Sequence, residues 1–233
     1  MTNKNVSALL IPGFMLDESL WQTFVQYLPE HWEVHYGSIS SGKAISQIAS
    51  DIIASHSQPL VIIGFSLGGY IARQIAADYP ERVKGLILIA SSLREDTESQ
   101  RSAKKHMVEF YSQRTFKRLS TQTIVRSLHP RNRNNSALIS LIQSMSTNLG
   151  YKVLVSQSEL LRSDVPSCQI QCPTLVVASN HDCLRSVEES IEIKESIKNA
   201  ALSMVDRSGH MIPLEQPEEL AKIVTSWANS YVD

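Results

Sequence analysis

The chain has 233 residues, with 22 Lys/Arg against 23 Asp/Glu for a formal charge of −1, and 42% of its residues are apolar. That length accommodates one domain, or a domain with an inserted subdomain, and can bury a substantial core; the near-zero charge and the lack of a binding motif argue against a nucleic-acid partner. Cys168, Cys172 and Cys183 form no Cys-x-x-Cys pair, which points to a reduced, cytoplasmic protein, and no apolar run is long enough to span a bilayer.

In chain order, the apolar run near the N-terminus is broken early by Pro12-Gly13 with no small-residue cleavage site, so it reads as a first strand over 7–12 and not as a signal peptide. Helical spacing over 17–28 puts Leu20, Trp21, Phe24, Val25 and Leu28 on one face. A strand follows over 32–36, then a helix over 44–54 with Ile45, Ile48, Ile52 and Ile53 aligned. The run 60–65 is a third strand, 66–79 a helix stopped by Pro80, and 85–90 a fourth strand. Later come strands over 174–179 and 201–205 and helices over 188–198 and 217–231. The last of these has Pro217 in its first turn and Glu218 and Glu219 at the positive end of its dipole.

Most of these strands are continuously apolar, as expected of parallel strands covered on both faces. The alternation of strand and helix predicts an open α/β sheet of about six mostly parallel strands, with helices on both faces. The pattern fails between 91 and 168, where no strand is legible. There the spacing predicts helices over 101–118 and 121–128, a turn at Asn132-Arg133-Asn134-Asn135, and helices over 137–145 and 151–162. Residues 1–92 and 169–233 are therefore expected to form the core, with 93–168 a helical cap inserted after the fourth strand. No internal repeat is present. Charge is uneven: residues 94–133 carry ten Lys/Arg and four Asp/Glu, a balance of +6, while the remainder is −7. Amphipathic helices that present cations to water account for this most simply; the functional alternative is attraction of an anionic substrate or an acidic carrier protein.

The chemistry centres on Gly64-Phe65-Ser66-Leu67-Gly68. A buried-strand pattern runs into this Gly-x-Ser-x-Gly, and a helix leaves it, which is the context of a nucleophile elbow. Glycine is needed at both ends because side chains would collide across so sharp a turn. The turn exposes the Ser66 hydroxyl at a helix N-terminus and aims the Leu67 N–H where an oxyanion would form. A nucleophilic serine needs a base, and the base an orienting acid. His210 follows the last strand and Asp182 the strand before it, both at the sheet edge where open α/β proteins bind ligands. Glu95 and Asp96, after the fourth strand, are alternative acids, while Asp206 only starts a loop. No other histidine is comparably placed. His181 reads as a solvated loop residue, and no metal-ligand spacing occurs.

The order Ser66, Asp182, His210 and the motifs Leu10-Ile11-Pro12-Gly13-Phe14, Gly64 to Gly69, Asn180-His181-Asp182, Gly209-His210 and Leu214-Glu215-Gln216-Pro217 together resemble the α/β-hydrolase superfamily. Within it the chain is most similar to small bacterial esterases of the pimeloyl-carrier-protein methyl ester esterase and non-haem haloperoxidase-like group. The resemblance implies the α/β-hydrolase fold, Ser66 as nucleophile, His210 as general base and then acid, Asp182 as the orienting acid, and an oxyanion hole from the N–H groups of Phe14 and Leu67. It implies hydrolysis of a carboxylic ester or thioester, with no metal or organic cofactor. The substrate would be a small molecule, anionic or carrier-bound if the basic segment steers it, and the chain a monomer or homodimer without nucleic-acid or membrane partners. A lyase or C–C bond hydrolase using the same triad, or a weakly catalytic ligand receptor, is the alternative on this scaffold. Pro12-Gly13 departs from the His-Gly of relatives, and the N-terminus is too short for the two extra strands of larger members.

Overall fold

The computed structural model describes residues 5–163, 165–166 and 169–232. Residues 1–4 and Cys168, where the expected insertion ends, lie outside them. Six strands form one sheet: β1 (Val6–Ile11), β2 (Trp32–Tyr36), β3 (Leu60–Phe65), β4 (Val83–Ile89), β5 (Thr174–Ser179) and β6 (Ala201–Val205). Their order is β2-β1-β3-β4-β5-β6, and every pairing is parallel. The chain leaves β1 toward one edge and returns across it to β3. The strand order therefore reverses between β1 and β3, and a crevice opens there at the carboxyl ends of the strands.

Successive side chains of a strand point to opposite faces, so each strand feeds two cores. One holds Leu9, Ile11, Leu60, Ile62, Leu86 and Leu88 under α2 (Ile45–Ala54), α3 (Leu67–Asp78) and α7 (Val187–Ser196). The other holds Ala8, Leu10, Val61, Ile63, Ile87 and Ile89 under α1 (Gln22–Val25) and α9 (Pro217–Tyr231). Between α7 and α9, α8 (Ile212–Glu215) follows β6. Among the described residues no helix is long and apolar enough to cross a membrane.

Between β4 and β5 the chain forms α4 (Glu98–Phe110), α5 (Thr121–Val125) and α6 (Ser136–Glu159). Three expectations are adjusted. The first helix stops at Phe110 rather than continuing to 118, because Ser112 and Thr115 divert the backbone into a local turn: the Ser112 N–H donates to Thr115 Oγ1 at 2.8 Å. Short hydroxyl side chains of this kind compete with helix hydrogen bonds. The helices expected over 137–145 and 151–162 are two arms of α6, bent at Gly150, whose φ of 73° suits glycine alone. The segment expected as one helix over 17–28 is a 3-10 turn, Glu18–Trp21, capped by Asp17 and followed by the short α1; its apolar face is nevertheless the one buried.

The inserted helices do not build a separate core. Phe116, Leu119, Ile124, Ile142, Met145 and Leu154 join the sheet's second cluster. The insertion and sheet should therefore unfold together. Ile142, fully buried, tests this: Ile142→Ala should lower stability by about 2–5 kcal/mol in a single urea transition, whereas an early, separate transition of the insertion would contradict the shared core.

Candidate active site

Ser66 lies at the turn between β3 and α3 with φ 51° and ψ −111°, a backbone conformation that a residue with a Cβ rarely adopts. The neighbouring chain leaves room only for glycine. A Cβ on Gly64 would sit 2.5 Å from the Gly68 carbonyl oxygen, and one on Gly68 would strike the carbonyls of Ile11 and Pro12 at the end of β1. The strain costs about 1–3 kcal/mol. Three hydrogen bonds hold the turn against it, each contributing about 1 kcal/mol. The Ser66 N–H donates to Ile89 O at 2.9 Å, and the Ser66 carbonyl accepts from Gly69 N–H and from the Ser91 hydroxyl, each at 3.0 Å.

The loops after β5 and β6 deliver the partners. The Ser66 hydroxyl lies 3.0 Å from His210 Nε2, and His210 Nδ1 lies 2.7 Å from Asp182 Oδ2. An ionised carboxylate only accepts, so Nδ1 carries the proton and Nε2 is left free to accept from the serine. The side chains of His210 and Asp182 are almost wholly shielded from water. The second oxygen of Asp182 accepts from the N–H groups of Leu184 at 2.7 Å and Arg185 at 3.0 Å, which fixes the carboxylate, and the Phe65 ring packs 5.1 Å from the imidazole.

Thus Ser66, His210 and Asp182 come together. The alternative acids do not join them: Asp96 is engaged by Arg162 and Lys104, and Glu95 faces Arg101 near the surface; Asp206, set aside as a loop residue, is exposed beside Arg207. His181 packs edge-on against His129 with ring centroids 4.7 Å apart. Phe14 lies on the loop after β1 and lines the same cavity as Ser66, and Leu67 opens the first turn of α3. Among the described residues no cluster of three or more His, Cys, Asp or Glu could hold a metal ion.

Several residues that position the site are not singled out by the sequence. The His210 N–H donates to Ser127 O at 2.7 Å, so the insertion holds the histidine loop directly. Glu215 accepts from four donors: the N–H of Gly209 at 2.7 Å, the N–H of His129 at 2.7 Å, the Asn132 amide at 2.9 Å and the Ser208 hydroxyl at 3.2 Å. Gly209 is glycine because a Cβ there would lie 2.6 Å from His129 N. On the other side, buried Gln157 of α6 accepts from Met15 N–H at 2.8 Å and donates to Ile39 O at 3.0 Å, anchoring the loop that carries Phe14. Glu215 lay inside a recognisable motif. Ser127 acts through a backbone carbonyl, which leaves no sequence signal.

The serine and histidine open into a cavity of about 280 Å³. Its walls combine Phe14, Leu16 and Phe65 of the core with Met107, Leu119 and Ile142 of the insertion.

The Hydrolase_4 family model, described as serine aminopeptidase, S33, matches residues 43–217. The chain belongs to this family. It is an α/β-hydrolase, and its similarities to other proteins lie within that superfamily. It is 33% identical over 96 residues to the pimeloyl-[acyl-carrier protein] methyl ester esterase of Pectobacterium carotovorum subsp. carotovorum (strain PC1), a stretch covering 38% of each chain. The match therefore spans little more than a third of that relative. It is 25% identical to the pyrrolizixenacetamide deacetylase of Xenorhabdus hominickii over 93% of this chain and 90% of that one. Among solved structures it shares its fold with a thermophilic esterase from Thermogutta terrifontis, with a TM-score of 0.85 at 22% identity, covering 98% of this chain and 91% of the other. The enol-lactonase from Burkholderia xenovorans LB400 superposes with a TM-score of 0.86 at 16% identity, covering 97% and 92%.

In this α/β-hydrolase the Glu215 carboxylate is the joint between insertion and histidine loop. Glu215→Gln turns an amide N–H₂ toward donors and should cost about 1–3 kcal/mol in urea unfolding. A loss below about 0.5 kcal/mol, the level of an ordinary surface change, would contradict that role.

Proposed function

We propose that this chain hydrolyses a carboxylic ester or thioester through an acyl-enzyme on Ser66. The observation that carries the reading is the continuous chain from Ser66 Oγ through His210 to Asp182, at 3.0 Å and 2.7 Å, at the mouth of a largely apolar cavity. His210 Nε2 takes the hydroxyl proton as Oγ attacks the substrate carbonyl. Asp182 keeps the imidazole in the tautomer that can accept and stabilises the imidazolium that results. Negative charge then develops on the former carbonyl oxygen. The N–H groups of Leu67 and Phe14 are the donors for it; neither is engaged in a turn or cap hydrogen bond among the described residues. As the tetrahedral intermediate collapses, the imidazolium returns the proton to the leaving alcohol or thiol. Water, deprotonated by the same imidazole, attacks the acyl-enzyme, and Ser66 leaves with the proton restored.

The helices between β4 and β5 act as the cap in this reading, since they supply one wall of the cavity and hold the loops bearing His210 and Phe14. The similarity to a pimeloyl-carrier-protein esterase supports an ester substrate. Nine of the ten Lys/Arg between 94 and 133 face solvent, where they can attract an anionic or carrier-bound substrate.

Steady-state hydrolysis of short-chain p-nitrophenyl esters tests the assignment. Ser66→Ala should remove essentially all turnover, a fall of about a millionfold. Asp182→Ala should lower kcat by about 10⁴, and Asp96→Ala far less. Intact turnover in Asp182→Ala together with its loss in Asp96→Ala would transfer the acid's role to Asp96. Labelling of Ser66 without multiple turnover of any ester would favour a ligand receptor.

A further inference from the structure

The cavity is apolar near Ser66 but charged elsewhere in its lining. Asp96, Lys104, Arg162 and Arg185 all contribute to its walls. Lys104 is the one member of the basic segment's ten cations that is not exposed. Asp96 accepts from Arg162 Nη1 at 2.8 Å and also from the Lys104 ammonium, and all three side chains are largely buried. One carboxylate thus serves two cations. The Arg73 guanidinium lies 5.0 Å from the Tyr70 ring, which also has Arg162 at 5.2 Å, and its described partners are carbonyl oxygens. Among the described residues Asp96 is the only carboxylate within ion-pair distance of Lys104, Arg162 or Arg73. Arg185 completes the rim and is paired with Glu189 at 3.3 Å. The Nε groups of Arg162 and Arg185 are buried without a partner among the described residues.

Burying charge is expensive unless it is paired, and a cluster with more cations than carboxylates leaves part of that cost uncompensated. The strain is visible in Lys104, whose ammonium is pushed down to about 8 by burial and by the neighbouring Arg162 and Arg185, against the opposing pull of Asp96. The reaction proposed at Ser66 uses none of these groups.

We propose that Lys104 and Arg162, with Arg185 beside them, form a carboxylate-binding subsite. The substrate hydrolysed at Ser66 would then be an ester whose apolar chain ends in a free carboxylate, as in a half-ester of a dicarboxylic acid. This rests on the hydrolase reading and narrows it. The carboxylate would accept hydrogen bonds from the Lys104 ammonium and the Arg162 guanidinium, whose carboxylate partner among the described residues is Asp96, and the apolar lining, which includes Met107, Leu119 and Ile142, would cover the chain.

The test compares monomethyl esters of C4 to C8 dicarboxylic acids with the corresponding dimethyl esters. For the best chain length kcat/KM should favour the half-ester by at least about tenfold. Lys104→Met should lower that ratio by a similar factor, and Asp96→Asn, which frees both cations, should raise it. The preference should persist at about 0.5 M salt, because buried pairs are weakly screened; its disappearance there would assign it to the exposed cations and overturn the subsite. So would dimethyl esters hydrolysed as well as half-esters across the series, or a ratio unmoved by both variants. If neither ester class is turned over, the hydrolase reading fails only when p-nitrophenyl esters are not turned over either. Calorimetric binding of the free dicarboxylates to Ser66→Ala then decides the subsite: binding weakened by Lys104→Met upholds it, and absence of binding overturns it.

Discussion

The backbone turn at Ser66 is the constraint on which the site depends. β3 must end, reverse and enter α3 within the span of Gly64 to Gly68, and the serine absorbs the strain in a left-handed conformation. That geometry is possible only because β3 lies between β1 and β4. β1 presses against Gly68, while β4 and the loop that follows it bond the serine through Ile89 and Ser91. The parallel sheet therefore provides more than a platform. Its central strands hold in place a turn that would relax in isolation, and they leave the Ser66 hydroxyl at the end of a helix, facing the loops after β5 and β6.

The insertion is the second structural layer of the site. Ser127 and the Asn132–His129 corner hold the histidine loop, directly or through Glu215, and Gln157 holds the loop that follows β1. The helices that bound the cavity thus also set the positions of groups on both sides of the serine. Because their apolar side chains share a core with the sheet, this coupling has packing energy behind it as well as hydrogen bonds. Movement of the insertion relative to the sheet would disturb the His210 loop and the Phe14 loop together.

Much of this was legible in the sequence because strand ends carry strong local signals. Continuous burial of β3 reads as an unbroken apolar run that Ser66 follows immediately, and Asp182 and His210 lie in the short loops after the later strands β5 and β6. The end of α4 was not legible, since Ser112 and Thr115 stop the helix through hydroxyl contacts that hydropathy does not register. The bend at Gly150 left the two-helix pattern intact, although α6 runs through it. Residues acting across long separations were hidden for a different reason. Gln157 meets Met15 across 142 positions, and Ser127 contributes only a carbonyl. In the basic segment nine cations are exposed to solvent, as amphipathic spacing suggests, and the one turned inward, Lys104, is indistinguishable from them by spacing.

The central claim is that Ser66 becomes acylated, and the most direct measurement is the intact-protein mass during turnover. Rapid mixing with excess p-nitrophenyl butyrate followed by acid quench should give a single butyryl adduct, carried by the peptide that contains Ser66 and absent from Ser66→Ala. Sustained hydrolysis with no adduct on Ser66, or an adduct on any other residue that accounts for turnover, would contradict the account.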